Sequence, residues 1–174
     1  MSLGFVLWFS GLPASGKTTL ARAVQQQLAE RSIQSVIFDS DELRQILTPT
    51  PTYSEKERDW FYTAIAGLAT LLAQNGVNLL IAATANRAHY RQQARQQIAR
   101  FAEVYVHCSL ETCRQRDPKG IYQRAVSGAA TQVPGVGAMF EIPNAPEVTV
   151  DSETLTPEQG ARQVIEELKN LIES

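Results

Sequence analysis

The sequence has little cysteine, little excess charge and no long apolar run. Its two cysteines, Cys108 and Cys113, are too few for a disulfide framework and do not form a Cys-x-x-Cys pair. They are therefore expected to be small core residues in a reducing cytoplasm. The net charge of −2 argues against a surface that binds nucleic acid. No apolar run reaches the roughly 20 residues that a membrane-spanning helix needs, so no membrane partner is expected.

What the sequence does contain is a phosphate-binding pattern near its start. An apolar run at 5–9 leads into G-x-x-x-x-G-K-T, and a helical pattern follows. Two glycines let successive backbone N–H groups point at one phosphate group in front of a helix N-terminus. The lysine can reach the β- and γ-phosphates, and the threonine hydroxyl can ligate Mg²⁺. The pattern predicts a nucleoside triphosphate site made of Gly11, Leu12, Pro13, Ala14, Ser15, Gly16, Lys17, Thr18 and Thr19.

Short apolar runs alternate with helical patterns along the rest of the chain. Strands are expected at 5–10, 35–38, 77–83, 101–108 and 148–151, with amphipathic helices between them. This alternation predicts a three-layer α/β fold in one domain, 1–174, with a parallel sheet of about five strands and helices on both faces. The strand at 35–38 is expected to be buried and to lie beside the first.

Two carboxylates, Asp39 and Asp41, follow the second predicted strand. They are therefore expected at the carboxyl edge of the sheet, where ligands bind in open α/β folds. Ser40 or Asp41 could also cap the next helix, which is compatible with a catalytic role. The strand at 77–83 ends without the acid that NTPase switches and motors usually carry there. Acids after the second strand favour a small-molecule kinase, in which a carboxylate orients and can deprotonate an acceptor hydroxyl.

The segment 120–146 is rich in glycine, proline and alanine and shows little periodicity. A structureless stretch of that length usually forms a lid or is disordered. Basic residues at its root favour a lid over phosphates, spanning about 116–146. The predicted helix at 87–100 is polar, and its Arg91, Arg95 and Arg100 are expected to be solvated surface charges.

Five stretches of the chain together resemble the adenylylsulfate kinase family. Residues 11–19 are similar to G-L-S-G-[AS]-G-K-[ST]-T, and residues 38–44 to L-D-G-D-N-[VL]-R. Residues 53–58 resemble F-S-x-x-[DE]-R, residues 116–122 match R-D-x-K-G-[LM]-Y, and residues 140–147 are similar to [YF]-E-x-P-x-x-P-[ED]. The resemblance implies a P-loop kinase fold and a homodimer. It also implies transfer of phosphate from MgATP to the 3′-hydroxyl of adenosine 5′-phosphosulfate, a reaction of sulfate assimilation.

On the donor side, the resemblance implies that Lys17 and the loop amides hold the ATP phosphates. Thr18 and Asp39 would hold Mg²⁺, and Arg116 would lie over ATP.

On the acceptor side, the resemblance implies that Asp41 is the general base. Arg44 and Arg58 would bind the phosphosulfate anions, a task suited to the guanidinium fork. Tyr53 would stack on the adenine, and Lys119 would neutralise phosphate as the lid closes.

The sequence departs from the family mostly on the acceptor side. Val133 stands where the family has an aromatic residue that completes a sandwich around the adenine, so Tyr53 would stack alone. Phe61 replaces an asparagine, and Thr84-Ala85-Asn86 replaces Ser-Pro-Tyr. Two alternatives therefore stay open: a related kinase with another small hydroxyl acceptor, such as a nucleotide or sugar-like metabolite, and a non-catalytic nucleotide-binding module.

Overall fold

The central sheet places the end of the first strand between two other strands. A computed structural model describes residues 2–174. Within them five parallel strands have the order β2-β3-β1-β4-β5. In chain order, the strands are β1 (Val6–Ser10), β2 (Val36–Asp39), β3 (Leu79–Ala82), β4 (Phe101–His107) and β5 (Val148–Asp151). The predicted α/β fold with a five-stranded parallel sheet is confirmed.

Helices cover both faces of this sheet because side chains alternate along each strand. On β1, Leu7 and Phe9 belong to one core cluster, whereas Val6 and Trp8 belong to the other. The first cluster packs against α1 (Lys17–Glu30), α7 (Pro157–Glu167) and α8 (Lys169–Glu173). The second packs against α2 (Ser40–Leu47), α3 (Glu55–Gln74) and α4 (Ala88–Gln97). No helix of residues 2–174 is long and apolar enough to cross a membrane.

The predicted position of the second strand is wrong. β2 pairs with β3 at the edge of the sheet, and β3 is the neighbour of β1. β2 is also not fully buried, since Val36 is 46% exposed. Every residue of β3 is buried. Short apolar runs look alike in sequence, so the sequence does not indicate which strand lies beside β1. The connection from β2 to β3 through α2 and α3 decides it.

The segment 120–146 is also more ordered than predicted. It contains α6 (Ile121–Val126), which follows α5 (Leu110–Arg116) and the turn at 117–120. Tyr122 and Val133 are buried in a third cluster with Cys108 and Cys113. A helix of six residues is too short for its 3.6-residue period to stand out in the sequence. Both cysteines are buried free thiols, as predicted.

The expectation of solvated charges at Arg91, Arg95 and Arg100 is wrong at one position. Arg91 is 2% exposed, and its Nε lies 2.7 Å from Oε1 of Glu103 on β4. Arg95 pairs with Glu147 at a partly exposed site, and Arg100 donates to the carbonyl oxygens of Leu3 and Leu171. The sequence gives no sign of Arg91's burial because its partner comes from a different strand.

Candidate active site

The loop between β1 and α1 has the backbone shape that a phosphate site needs. Gly11 has φ +149°, and a Cβ placed there would lie 2.6 Å from the carbonyl oxygen of Val106. Gly16 has φ +97° and precedes α1 without a side chain to cap it. The first N–H groups of α1 are therefore available to an anion in front of the helix.

Lys17 lies against the interior of this loop. Its Nζ donates to the carbonyl oxygens of Leu12 at 2.7 Å and Gly11 at 3.1 Å. Burial lowers the pKa of Lys17 to about 8, against the opposing attraction of Asp41. The ammonium group is thus held by neutral acceptors. Phosphate oxygens can replace them, and the hydrogen bonds then become stronger because the acceptors are negatively charged.

Thr18 and Asp39 meet although β1 and β2 are not adjacent. The Thr18 hydroxyl donates to Oδ2 of Asp39 at 2.6 Å. The other oxygen, Oδ1, accepts from the backbone N–H of Asp41 at 2.8 Å, so Asp39 caps α2. The predicted cap at Ser40 or Asp41 is therefore wrong. A hydroxyl beside a carboxylate is a pair of hard oxygen donors, which fits Mg²⁺.

A second polar pair joins α2 to the segment after α5. The ammonium group of Lys119 donates to Oδ2 of Asp41, and both side chains are more than half exposed. This hydrogen bond raises the pKa of Lys119. Together with the Thr18–Asp39 pair, this contact brings the predicted carboxylates and lysine to the mouth of the loop.

The predicted lid is anchored on the phosphate-binding loop. The Tyr122 hydroxyl donates to the carbonyl oxygen of Pro13 at 2.9 Å. Asp117 accepts from the N–H groups of Ile121 at 2.7 Å and Gln123 at 3.0 Å, which fixes the start of α6. A Cβ on Gly135 would lie 2.9 Å from Cδ2 of Leu12. Segments on both sides of Val133 therefore rest on the loop.

Arg116 lies on the side of the site formed by the end of β5. Its guanidinium donates to the Ser152 hydroxyl at 3.1 Å and to the Ser152 carbonyl oxygen at 2.7 Å. Ser152 is also the nearest group to a Cβ built on Gly16, at 3.9 Å. Arg116 is thus beside the phosphate loop.

Arg44 is held in a stack of two rings. Its guanidinium carbon lies 3.9 Å from the Phe61 ring centroid and 4.8 Å from that of Tyr53. Nη1 pairs with Oε1 of Glu57 at 2.9 Å. Phe61, which departs from the family pattern, therefore packs its ring against the guanidinium of this arginine.

Arg58 is buried and bonded to neutral oxygens. Its Nε donates to the Tyr53 carbonyl oxygen at 2.9 Å, Nη1 to Oδ1 of Asn86 at 3.0 Å and Nη2 to the Gln132 carbonyl oxygen at 2.5 Å. Within residues 2–174 no carboxylate oxygen lies within 4.0 Å of it, and burial lowers its pKa. A buried cation without a counter-ion is a favourable place for an anion.

Two residues beside Arg58 have strained backbones. Tyr53 has φ +56° and Ala85 has φ +41°, which is unusual for residues with side chains. The Tyr53 N–H donates to Glu57 at 3.3 Å, and the Ala85 N–H donates to the Tyr62 hydroxyl at 3.0 Å. The surrounding hydrogen bonds thus maintain conformations that cluster at functional sites.

Sequence reasoning missed Asn86, which is 4% exposed and central to the acceptor side. It also missed that Glu141 accepts from the Ala88 N–H at 2.6 Å at the start of α4. In the sequence, Asn86 stands out only as a departure from the family tyrosine. Its hydrogen bonds reach residues 28 and 53 positions away, and no local pattern encodes such contacts.

A phosphate-binding loop, a hydroxyl–carboxylate pair, a lid lysine on a carboxylate and a buried arginine all meet at the carboxyl edge of one parallel sheet. This combination defines a P-loop kinase, a phosphotransferase that acts on a hydroxyl group.

Comparison with known proteins narrows the class. A family model described as "Adenylylsulphate kinase" matches residues 3–151. The "Probable adenylyl-sulfate kinase" of Pyrococcus abyssi is 37% identical over 168 residues, which cover 97% of each chain. The "Adenylyl-sulfate kinase" of Myxococcus xanthus is 37% identical over 172 residues, covering 97% of this chain and 92% of that one. The chain belongs to the adenylylsulfate kinase family.

A solved structure agrees with this assignment. The Mycobacterium tuberculosis APS kinase, determined in complex with AMPPNP and APS, superposes with a TM-score of 0.91 at 31% identity. The match covers 97% of this chain and 99% of that chain. More distant kinases, such as a gluconokinase from Sinorhizobium meliloti at 16% identity, share the fold alone.

Proposed function

We propose that this protein transfers the γ-phosphoryl group of MgATP to the 3′-hydroxyl of adenylyl sulfate, giving ADP and 3′-phosphoadenylyl sulfate. The observation that carries the proposal is Arg58, a buried guanidinium whose partners are the carbonyl oxygens of Tyr53, Asn86 and Gln132. A relative of known structure was solved with APS, an acceptor that carries anionic groups.

On the donor side, the loop amides and Lys17 bind the triphosphate. The ammonium group of Lys17 exchanges the Gly11 and Leu12 carbonyl oxygens for phosphate oxygens. There it stabilises the negative charge that develops on the transferred group. Thr18 and Asp39 would hold Mg²⁺, which would neutralise part of the phosphate charge. Arg116, beside Ser152, closes the nucleotide side.

On the acceptor side, Asp41 orients the hydroxyl and accepts its proton. Lys119 now bonds this carboxylate, so it must transfer to phosphate oxygens for Asp41 to face the acceptor. The lysine would then neutralise the transferring group. Tyr53 offers a ring that is 43% exposed for stacking on the base, and Arg44 and Arg58 bind the anionic part.

Release of ADP, measured in a coupled assay with and without adenylyl sulfate, tests this function. We expect ADP release to depend on adenylyl sulfate at micromolar to millimolar concentration. Asp41→Asn should retain ATP binding and lose most turnover. Full activity of that variant would overturn the role of Asp41. No stimulation of the wild type by adenylyl sulfate would sink the acceptor assignment, and stimulation by another small hydroxyl compound would replace it.

Residues 1–174 are proposed to form one kinase domain whose lid spans about 116–146. The protein is proposed to act as a homodimer in the cytoplasm. The outward face of α3 supports a dimer, because Trp60 and Leu71 are 51% and 59% exposed there. Sedimentation velocity should give a dimer mass that Leu71→Glu reduces. A monomer at micromolar wild-type protein would contradict this proposal.

A further inference from the structure

Asn86 makes three hydrogen bonds that join α3 to the returning part of the lid. Its Oδ1 accepts from Arg58 at 3.0 Å, and its Nδ2 donates to the Met139 carbonyl oxygen at 2.9 Å. Its own carbonyl oxygen accepts from the Glu141 N–H at 2.8 Å. The side chain is 4% exposed, so each of these polar atoms is used where water has little access.

Arg58 carries the connection further. Its Nη2 bonds Gln132, at the other end of the same lid segment, and its Nε bonds the backbone of Tyr53. The Arg58–Asn86 pair therefore holds residues 132–141 at both ends, and it also holds the ring proposed to stack on the acceptor. We call these residues, Arg58 and Asn86 with Gln132 and Met139, the lid clamp.

The chemistry of the clamp leaves Arg58 free to bind a ligand. A guanidinium has five N–H groups, and three are used within residues 2–174. Because Asn86 is neutral, it fixes the direction of the guanidinium without cancelling its charge. An aspartate of the same shape would fix the direction and cancel the charge.

We propose that Asn86 is a positioning residue that aims Arg58 at the acceptor's anionic group and couples acceptor binding to closure of residues 132–141. This inference rests on the proposed function. It predicts that changes at Asn86 affect the acceptor and leave ATP binding unaffected, since within residues 2–174 no hydrogen bond joins Lys17 or Arg116 to the clamp.

Both Asn86→Asp and Asn86→Leu lose the hydrogen bond to the Met139 carbonyl oxygen, but only Asn86→Asp keeps an acceptor for Arg58 and adds a negative charge. A matched control exists at the other end of β3: Asn78 precedes the strand, accepts from the Phe5 N–H at 3.1 Å and donates to the Gln34 carbonyl oxygen at 2.9 Å. Asn78→Asp therefore places the same substitution far from the site.

Steady-state kinetics are the first readout. Asn86→Asp should raise the KM for adenylyl sulfate by roughly tenfold to hundredfold and leave the KM for ATP within about twofold, because one charge-assisted contact is lost. Asn86→Leu should raise the acceptor KM by about tenfold. Asn78→Asp should change neither KM. Partial unfolding lowers the active fraction for both substrates equally, so the ratio of the two KM values is insensitive to it.

Hydrogen exchange without substrate is the second readout. Amides of residues 132–141 should exchange faster in Asn86→Leu than in the wild type, and at the wild-type rate in Asn78→Asp. Parallel rises in both KM values, an unchanged acceptor KM in Asn86→Asp, or unchanged exchange in Asn86→Leu would each overturn the inference. If adenylyl sulfate does not stimulate ADP release by the wild type, the proposed function is refuted instead. The hydrogen-exchange comparison then decides by itself whether the clamp exists.

Discussion

Replacing Arg91 by methionine should destabilise the protein strongly, because it leaves a buried carboxylate without its counter-ion. Glu103 is 6% exposed, and besides Arg91 its side chain has the Ser10 hydroxyl, which donates to Oε1 at 2.8 Å. The guanidinium also donates to the carbonyl oxygens of Ala85 and Glu141. Breaking a buried ion pair from one side costs about 3–5 kcal/mol of unfolding free energy. For a chain of this length that corresponds to a fall in Tm of roughly 6–20 °C.

Helix α4 offers a matched control one turn later. Arg95 pairs with Glu147 at 2.5 Å, but those side chains are 38% and 33% exposed. Arg95→Met should therefore cost about 0–1 kcal/mol. Urea unfolding followed by circular dichroism measures both variants. Adding Glu103→Gln to Arg91→Met should restore part of the loss, because the buried charge is removed while an acceptor for Ser10 remains.

The reasoning is refuted if Arg91→Met and Arg95→Met cost the same. It is also refuted if the double variant is less stable than Arg91→Met alone, since that would mean the charge of Glu103 is not the cause of the loss.

Three further predictions concern the active site. Lys17→Ala should remove turnover and leave the unfolding midpoint nearly unchanged, because the lost interaction is charge stabilisation in the transition state; retained turnover would contradict the site assignment. Since burial lowers the pKa of Lys17 to about 8, the free enzyme loses this positive charge as the pH rises through 8. The kcat/KM for ATP should therefore fall above about pH 8. The kcat should persist to higher pH, because bound phosphate favours the charged lysine. If kcat and kcat/KM instead fell at the same alkaline pH, the result would argue against this reasoning. Tyr53→Ala should raise the acceptor KM by about one to two decades through loss of one stacking contact, with Trp60→Ala on α3, which removes another exposed aromatic side chain, as a control. An acceptor KM unaffected by Tyr53→Ala would mean that the base binds elsewhere.

The sequence determined those features that depend on local patterns. Alternating apolar runs predicted the five parallel strands, and G-x-x-x-x-G-K-T predicted a loop whose glycines have positive φ values. Motifs of fixed spacing identified the family. Each of these signals lies within a few consecutive residues, where backbone sterics and periodicity act directly.

Tertiary structure alone decided which distant residues meet. β3, and not β2, lies beside β1, and Asp39 nonetheless reaches Thr18 at 2.6 Å. Arg91 forms a buried ion pair because Glu103 faces it from β4. Asn86 is the centre of the lid clamp because Arg58 and Met139 both hydrogen-bond to it. Such contacts depend on how elements pack across the sheet, and residues far apart in the sequence carry no periodic sign of them.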